Sequence, residues 1–262
     1  MLYQLFPELP IDLLLRLALQ AANGILEIYK DEALMKQYTL KQDASPVTLA
    51  DRASHEIIVK GLQAITPGIP VLSEEGAAIP YEERKQWEYF WCVDPLDGTK
   101  EFLQRNDEFT VNIALIHRQT PVLGIICLPV LQTLYYGSYN DGSWKRIRDK
   151  DPVRIYTDKR TTDWTAVGSR SHAGASEREM LNHYPVSRQL FAGSSLKFCL
   201  IAEGSAHLYY REGPTMEWDT AAGHAIVQYS GGALSMPSGG EFLYNKTSLI
   251  NGPFICTAYK AT

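Results

Sequence analysis

The sequence is short of positive charge. Its 25 lysines and arginines stand against 30 acidic residues, a net charge of −5 at neutral pH. A dedicated nucleic-acid binder usually carries a basic stripe, so no nucleic-acid partner is expected. A small anionic substrate stays open, because a bound metal reverses the local sign. Cysteine is scarce too. Cys92, Cys127, Cys199 and Cys256 each sit in an apolar run, and none forms a CxxC pair. That excludes a disulfide framework and suggests buried thiols in a reducing cytoplasm. The six histidines are scattered, which leaves zinc without a ligand pattern. No GxGxxG follows a strand, so dinucleotide binding lacks support. No internal repeat or low-complexity tract occurs, and no apolar run is long and uncharged enough to span a bilayer.

What remains has the composition of a globular protein: 262 residues, 45% hydrophobic and 21% charged, enough for a sizeable core. The leucine-rich start carries Glu8, Asp12 and Arg16 and has no basic n-region of a secretory leader. Pro10 then opens an amphipathic pattern through Leu14, Leu15, Ala18, Leu19 and Ala22. It predicts a helix from about Ile11 to about Met35. Core packing is its first expectation, and peripheral contact with the cytoplasmic face of a membrane is left open. Thr48, with Asp51 three residues on, predicts a capped second helix. Thr110 to Ile116 and Val122 to Leu128 predict an antiparallel hairpin, with a neighbouring strand over Leu131 to Tyr136. A second half begins near Asp151, with strands at Thr165 to Gly168 and Ala206 to Tyr210. Helices follow over Ser194 to Glu203 and over Trp218 to Tyr229. Mixed elements with antiparallel pairs favour an α+β layered sandwich over a doubly wound sheet.

Chemistry concentrates in three acidic clusters at element junctions: Glu74 with Glu75, Asp94 with Asp97, and Asp219. Converging carboxylates suit hard divalent cations, Mg²⁺ above all. Pro95 bends the chain between Asp94 and Asp97, so both carboxylates and the Leu96 carbonyl can face one side, enough for two metals. Gly98 permits close backbone approach to an anion. A helix starting at Thr99 would offer free N–H groups to a phosphate. The bland reading of one isolated Asp is a solvated turn. Asp-Pro-Leu-Asp-Gly-Thr after a buried strand is harder to explain that way. The tryptophans read as packing residues. His55 and His117 read as surface or capping residues, and His224 as a buried, hydrogen-bonded one.

The run from Trp91 to Phe102 resembles the first signature of the inositol monophosphatase superfamily. The run from Trp218 to Ala225 resembles its second, and Ser73-Glu74-Glu75 completes the set. Ser45-Pro46-Val47-Thr48, Glu108 to Leu115, Ser169-Arg170-Ser171-His172 and Gly193 to Cys199 are most similar to its bacterial 3′(2′),5′-bisphosphate nucleotidase branch. The resemblance implies a five-layered αβαβα sandwich. Residues 1–150 would supply most metal ligands, and residues 151–262 the last ligand and the substrate contacts, within one compact unit. It implies two or three Mg²⁺ per site and inhibition by Li⁺. Glu74, Asp94, Asp97, Asp219 and the carbonyl of Leu96 match metal ligands. Asp51 and Thr99, with Glu74, match the catalytic group that activates water. Glu75 stands behind the ligands or touches a weaker third metal. Gly98 and Thr99 match phosphate-binding positions, and His172, Ser194, Lys197, Arg211 and Asp219 match nucleotide contacts. The implied reaction is in-line attack by water on the 3′-phosphate of 3′-phosphoadenosine 5′-phosphate, giving AMP. The resemblance also implies the sulfated analogue, 3′-phosphoadenosine 5′-phosphosulfate, as a candidate second substrate. The alternatives are an inositol or sugar-phosphate phosphatase and an inactive phosphonucleotide sensor. Oligomeric state stays open.

Overall fold

A computed structural model of the chain describes residues 9–41, 46–169 and 175–259. Helix α1 (Ile11–Lys30) buries Leu14, Leu15, Ala18, Ala21, Ala22 and Ile25 along one face, the three- and four-residue spacing of an amphipathic helix. It stops short of the expected Met35. Asp31 adopts an extended backbone, and its carboxylate accepts the Ala33 and Leu34 N–H groups, starting a separate turn α2 (Glu32–Met35). A short acid that bonds its own following amides competes with helix continuation. Strand β1 (Tyr38–Leu40) pairs antiparallel with β2 (Pro46–Thr48). Helix α3 (Leu49–Ile65) starts at the expected capping box: Thr48 Oγ1 accepts from Asp51 N, and Thr48 N donates to Asp51.

Next come β3 (Val71–Ser73), α4 (Tyr81–Arg84), β4 (Tyr89–Asp97), α5 (Thr99–Gln104), β5 (Thr110–His117), β6 (Thr120–Leu128), β7 (Thr133–Ser138), β8 (Gly142–Ile147) and β9 (Val153–Ile155). These seven strands form one sheet in chain order, with β3 parallel to β4 and every later pair antiparallel. The predicted hairpin and its neighbour are β5, β6 and β7. Strands β8 and β9, rich in charged residues, carried no apolar alternation to reveal them.

The chain continues with β10 (Trp164–Ser169), α6 (Ala175–Leu181), β11 (Val186–Ala192), α7 (Leu196–Ala202), β12 (Leu208–Arg211), β13 (Thr215–Met216), α8 (Glu217–Ser230), β14 (Ala233–Ser235), β15 (Ile250–Asn251) and β16 (Phe254–Thr257). A second sheet has the order β11-β10-β12-β16-β14. Its β10 runs parallel to both neighbours.

Alternation along β4 shows how the layers stack. Trp91 and Val93 enter the core beneath α1 and α3, whereas Phe90 and Cys92 enter the core that holds α7 and α8. A strand buried on both faces reads as a continuous apolar run, which is the reason Tyr89 to Val93 stood out. The second sheet closes over α7 and α8 through Tyr209, Leu234, Phe254 and Cys256. Its far face packs Trp164, Leu208 and Tyr210 against Met180 and Leu181 of α6. The order is helices, sheet, helices, sheet, helix: the expected five-layered α+β sandwich. Helix α8 lies so close to the first sheet that a Cβ on Gly124 would come within 2.3 Å of the Ala222 carbonyl oxygen. All four cysteines are buried free thiols. Among the described residues no helix is long and apolar enough to cross a membrane.

Candidate active site

Six chain segments bring their ends to one place: the ends of β3 and β4, the starts of α3, α5 and α8, and the turn before α7. Strand β4 breaks register with β5 between Asp94 and Asp97. This bulge turns the Asp-Pro-Leu-Asp run out of the sheet. Asp94 Oδ1 accepts from Leu96 N at 3.0 Å, and the Ser54 hydroxyl of α3 donates to the Pro95 carbonyl at 2.7 Å. The run is therefore tied to α3. Glu74 follows β3, held beside β4 by its N–H to Val93 O at 3.1 Å. Asp219 occupies the first turn of α8 and accepts from Met216 N at 2.8 Å.

Carboxylate oxygens of Glu74, Asp94 and Asp219 all lie within 4.8 Å of one another. Asp94 is buried, 2% exposed. Its pKa is held well above the usual range by burial and by the charges of Glu74, Asp97 and Asp219. Asp219 is raised in the same way, by burial and then by Asp97. Burial also raises Glu74, against the pull of Lys41. Glu74 and Asp94 hydrogen-bond through their side chains. Two like-charged carboxylates so close do not both ionise and share a proton instead. Buried acids that repel one another call for a cation of high charge density. An all-oxygen donor set fits Mg²⁺ or a similar hard ion.

Asp97 is placed differently. It lies outside the three-acid group, and its Oδ2 accepts from Ser195 Oγ at 2.6 Å and from Asn112 Nδ2 at 3.3 Å. Leu96 is buried, and its carbonyl lies 3.5 Å from Thr99 Oγ1. Asp51 and Thr99 do meet: Thr99 Oγ1 donates to Asp51 Oδ1 at 3.3 Å. The other Asp51 oxygen accepts from Thr48 N at 2.7 Å and Thr48 Oγ1 at 2.6 Å. Burial pushes the Asp51 carboxyl up to about 6, against the two Thr48 donors that favour its ionised form. The sequence offered helix cap and catalytic acid as compatible roles for Asp51, and one oxygen faces each partner.

Gly98 adopts the left-handed backbone (φ 94°) just before α5, as the tight approach requires. A Cβ there would lie 3.2 Å from Ser194 Cβ. Ser194 itself has φ 44°, unusual for a non-glycine residue and frequent at functional sites. Among the described residues its buried hydroxyl has no partner. Lys197 is not a solvated helix lysine. It is buried, with Nζ donating to Ser194 O at 2.5 Å and Ala192 O at 3.3 Å. Burial pushes it down to about 8, opposed by Asp97. Arg211 ends β12 with Nε donating to Gly213 O, near enough to bias both Lys197 and Asp219. His172 lies outside the described residues.

Four participants escaped sequence reasoning. Lys41 Nζ bridges Glu74 Oε1 at 2.7 Å and Glu75 Oε1 at 2.5 Å. Only the pairing of β1 with β2 brings it there. Ser195 and Asn112 hold Asp97. His55, expected at the surface or as a cap, meets Ser73 Oγ at 2.9 Å and steadies the residue before Glu74. Local spacing carries no signal for such partners, which lie far apart in sequence. His224 is as expected, buried against Tyr244 OH at 3.1 Å, with its pKa pushed down to about 3 by burial.

The model of the inositol monophosphatase family matches residues 11–261. The chain belongs to this family. Within it, the chain is 45% identical over 254 residues to a 3′(2′),5′-bisphosphate nucleotidase, CysQ, of Salmonella typhimurium, covering 93% of this chain and 98% of that protein. The Escherichia coli protein of the same name is 43% identical, over 95% and 100% of the two chains. The crystal structure of CysQ from Bacteroides thetaiotaomicron, a bacterial member of the family, superposes with a TM-score of 0.82 at 39% identity, over 94% and 95%. The two acid-bearing signatures lie within these matches.

Proposed function

We propose that the protein hydrolyses the 3′-phosphate of 3′-phosphoadenosine 5′-phosphate to AMP and phosphate, with Mg²⁺ held by Glu74, Asp94, Asp97, Asp219 and the Leu96 carbonyl. The observation that carries this reading is the trio of buried, mutually repelling carboxylates beside the Asp51–Thr99 pair, in a chain similar throughout its length to CysQ nucleotidases. When bound, two or three such ions supply charge that offsets the phosphate ester's and lowers the pKa of water.

The chain's own residues move the proton. Thr99 donates its single hydroxyl hydrogen to Asp51, so its oxygen lone pairs are free to accept. A water hydrogen passes to Thr99 Oγ1 as the Thr99 hydrogen passes to Asp51 Oδ1. A carboxylate pushed up to about 6 is matched to accept it near neutral pH. Water adds to phosphorus opposite the 3′-oxygen, which departs with the electron pair and takes a proton from solvent water, while Asp51 later returns its proton to solvent. Gly98 and the unpartnered Ser194 hydroxyl border the place for phosphate. Arg211 and His172 complete the reading of the nucleotide. Lys197 acts by fixing the turn of Ser194. Buried free thiols suit a reducing cytoplasm.

The test is phosphate release from 3′-phosphoadenosine 5′-phosphate, 3′-phosphoadenosine 5′-phosphosulfate and inositol 1-phosphate, with Mg²⁺, with EDTA, and with added Li⁺. A strong nucleotide preference, lost in EDTA and reduced by Li⁺, is expected. Preference for the inositol ester would leave the acids standing and discard the nucleotide contacts. Silence on all three would sink the enzymatic reading.

A further inference from the structure

Ser195 stands at the N-cap position of α7, yet its side chain makes no capping bond to that helix. Serine at an N-cap ordinarily accepts an amide of its own first turn. Here the hydroxyl turns the other way. It donates to Asp97 Oδ2 at 2.6 Å, lies 2.9 Å from the main-chain oxygen of Asp219, and accepts from Asn112 Nδ2 at 2.8 Å. The same Asn112 nitrogen also lies 3.3 Å from that Asp97 oxygen. Thr110 Oγ1 donates to Asn112 Oδ1 at 3.1 Å, which fixes the amide with its nitrogen toward Ser195 and Asp97. Ser195, Asn112 and Thr110 are all at least 99% buried. Two buried donors, Ser195 and Asn112, thus face one carboxylate oxygen. Among the described residues, only Oδ2 of Asp97 receives protein hydrogen bonds.

The turn carrying Ser195 is held by two further hydrogen bonds and has an unusual backbone. Gly193 N donates to Glu108 Oε2 at 2.7 Å, Lys197 Nζ holds the Ser194 carbonyl, and Ser194 takes the left-handed backbone. A local rule broken inside so fully braced a turn marks a site where the side chain has another task.

We propose that Ser195 is the positioning residue for Asp97. By occupying Oδ2 together with Asn112, it leaves Oδ1 as the single ligand atom that Asp97 offers, 2.9 Å separating the Ser195 oxygen from the Asp219 carbonyl in the first turn of α8. Ser195 thereby sets the strength of a second cation position, to which Asp97 contributes beside the Glu74, Asp94 and Asp219 trio. This rests on the reading of these acids as a divalent-cation site. Groups that orient a ligand from behind change metal affinity by about 10–100-fold when removed.

The experiment titrates Mn²⁺ into metal-free protein, reading free Mn²⁺ by electron paramagnetic resonance. Parent, Ser195→Ala, Ser195→Cys and Asp97→Asn are compared. The parent is expected to bind in two classes. Ser195→Ala should keep the tight class and weaken the other at least about 10-fold. Ser195→Cys, which keeps the shape but donates weakly, should weaken the same class. Asp97→Asn should abolish it. Phosphate release by Ser195→Ala should recover at saturating Mg²⁺ with KM for the nucleotide unchanged, a rescue that a purely packing role would not give. Two affinities unchanged in both Ser195 variants would overturn the proposal, as would a weak class that survives Asp97→Asn. A parent that binds no Mn²⁺ would instead overturn the cation reading, and the Ser195 proposal with it. Ser195→Cys keeps the test decisive if the alanine variant does not fold.

Discussion

Replacing Asp94 with asparagine should stabilise the metal-free protein while destroying its activity. Asp94 is buried with Glu74 and Asp219 oxygens within 4.8 Å. At an effective dielectric constant of about 20, two unit charges at that separation repel by ~3.5 kcal/mol. Two such contacts converge on Asp94, so the metal-free fold keeps a proton there instead, consistent with its raised pKa. Holding that proton costs about 1.4 kcal/mol for each pH unit above the unfolded value near 4, until the folded pKa is reached. A raised folded pKa means stability that is full below the unfolded value and lost as pH rises through the folded one. At pH 7 the penalty is therefore bounded at about 4 kcal/mol. Asparagine removes it and still accepts from Leu96 N through the equivalent oxygen. In EDTA at pH 7, Asp94→Asn should thus melt several degrees above the parent, at roughly 2–4 °C per kcal/mol. The difference should vanish near pH 4. Mg²⁺ at 100 times its Kd should narrow the difference, because it adds about 2.7 kcal/mol to the parent. The assay is thermal unfolding by circular dichroism at pH 4, 5.5 and 7, with and without Mg²⁺, alongside phosphate release. A variant no more stable than the parent in EDTA at pH 7, or a gain that persists unchanged at pH 4, would refute the reasoning.

Three further outcomes follow from the geometry. Thr48→Ala removes a cap worth about 1 kcal/mol and one of two donors that favour ionised Asp51, so the acid limb of the kcat/KM profile should move to higher pH; a shift downward would contradict the Asp51 assignment. Lys197 is pushed down from 10.5 to about 8, so its stability contribution is complete above the unfolded value and lost as pH falls through about 8. Lys197→Met should therefore gain up to ~3 kcal/mol relative to the parent at pH 6, less the two lost carbonyl bonds, and lose that advantage by pH 10 in urea titrations. Gly124→Ala places a methyl within 2.3 Å of the Ala222 carbonyl oxygen, so it should cost about 1–3 kcal/mol and lower activity by displacing α8 with Asp219; an unchanged melting temperature would show that α8 has room to move.

Much of this protein was legible locally. Buried strands such as β4 and β5 announced themselves through continuous apolar runs, α3 through its capping box, and α8 through the Gly-Gly that ends it. The candidate metal ligands were legible because acids are conspicuous after apolar strands, where burial makes each charge expensive. The sequence determined the composition of the site: which carboxylates exist, and that Pro95 and Gly98 bend the chain around them. The tertiary structure decided how they are used. It set Asp97 apart from the Glu74, Asp94 and Asp219 group, brought Lys41 across 33 residues to Glu74, turned Ser195 away from its own helix toward an acid 98 residues earlier, and buried Lys197. Those contacts join segments distant in the chain. Hydrophobic periodicity reports only which face of one element is buried, whereas the partner a polar group finds depends on how the layers close over one another.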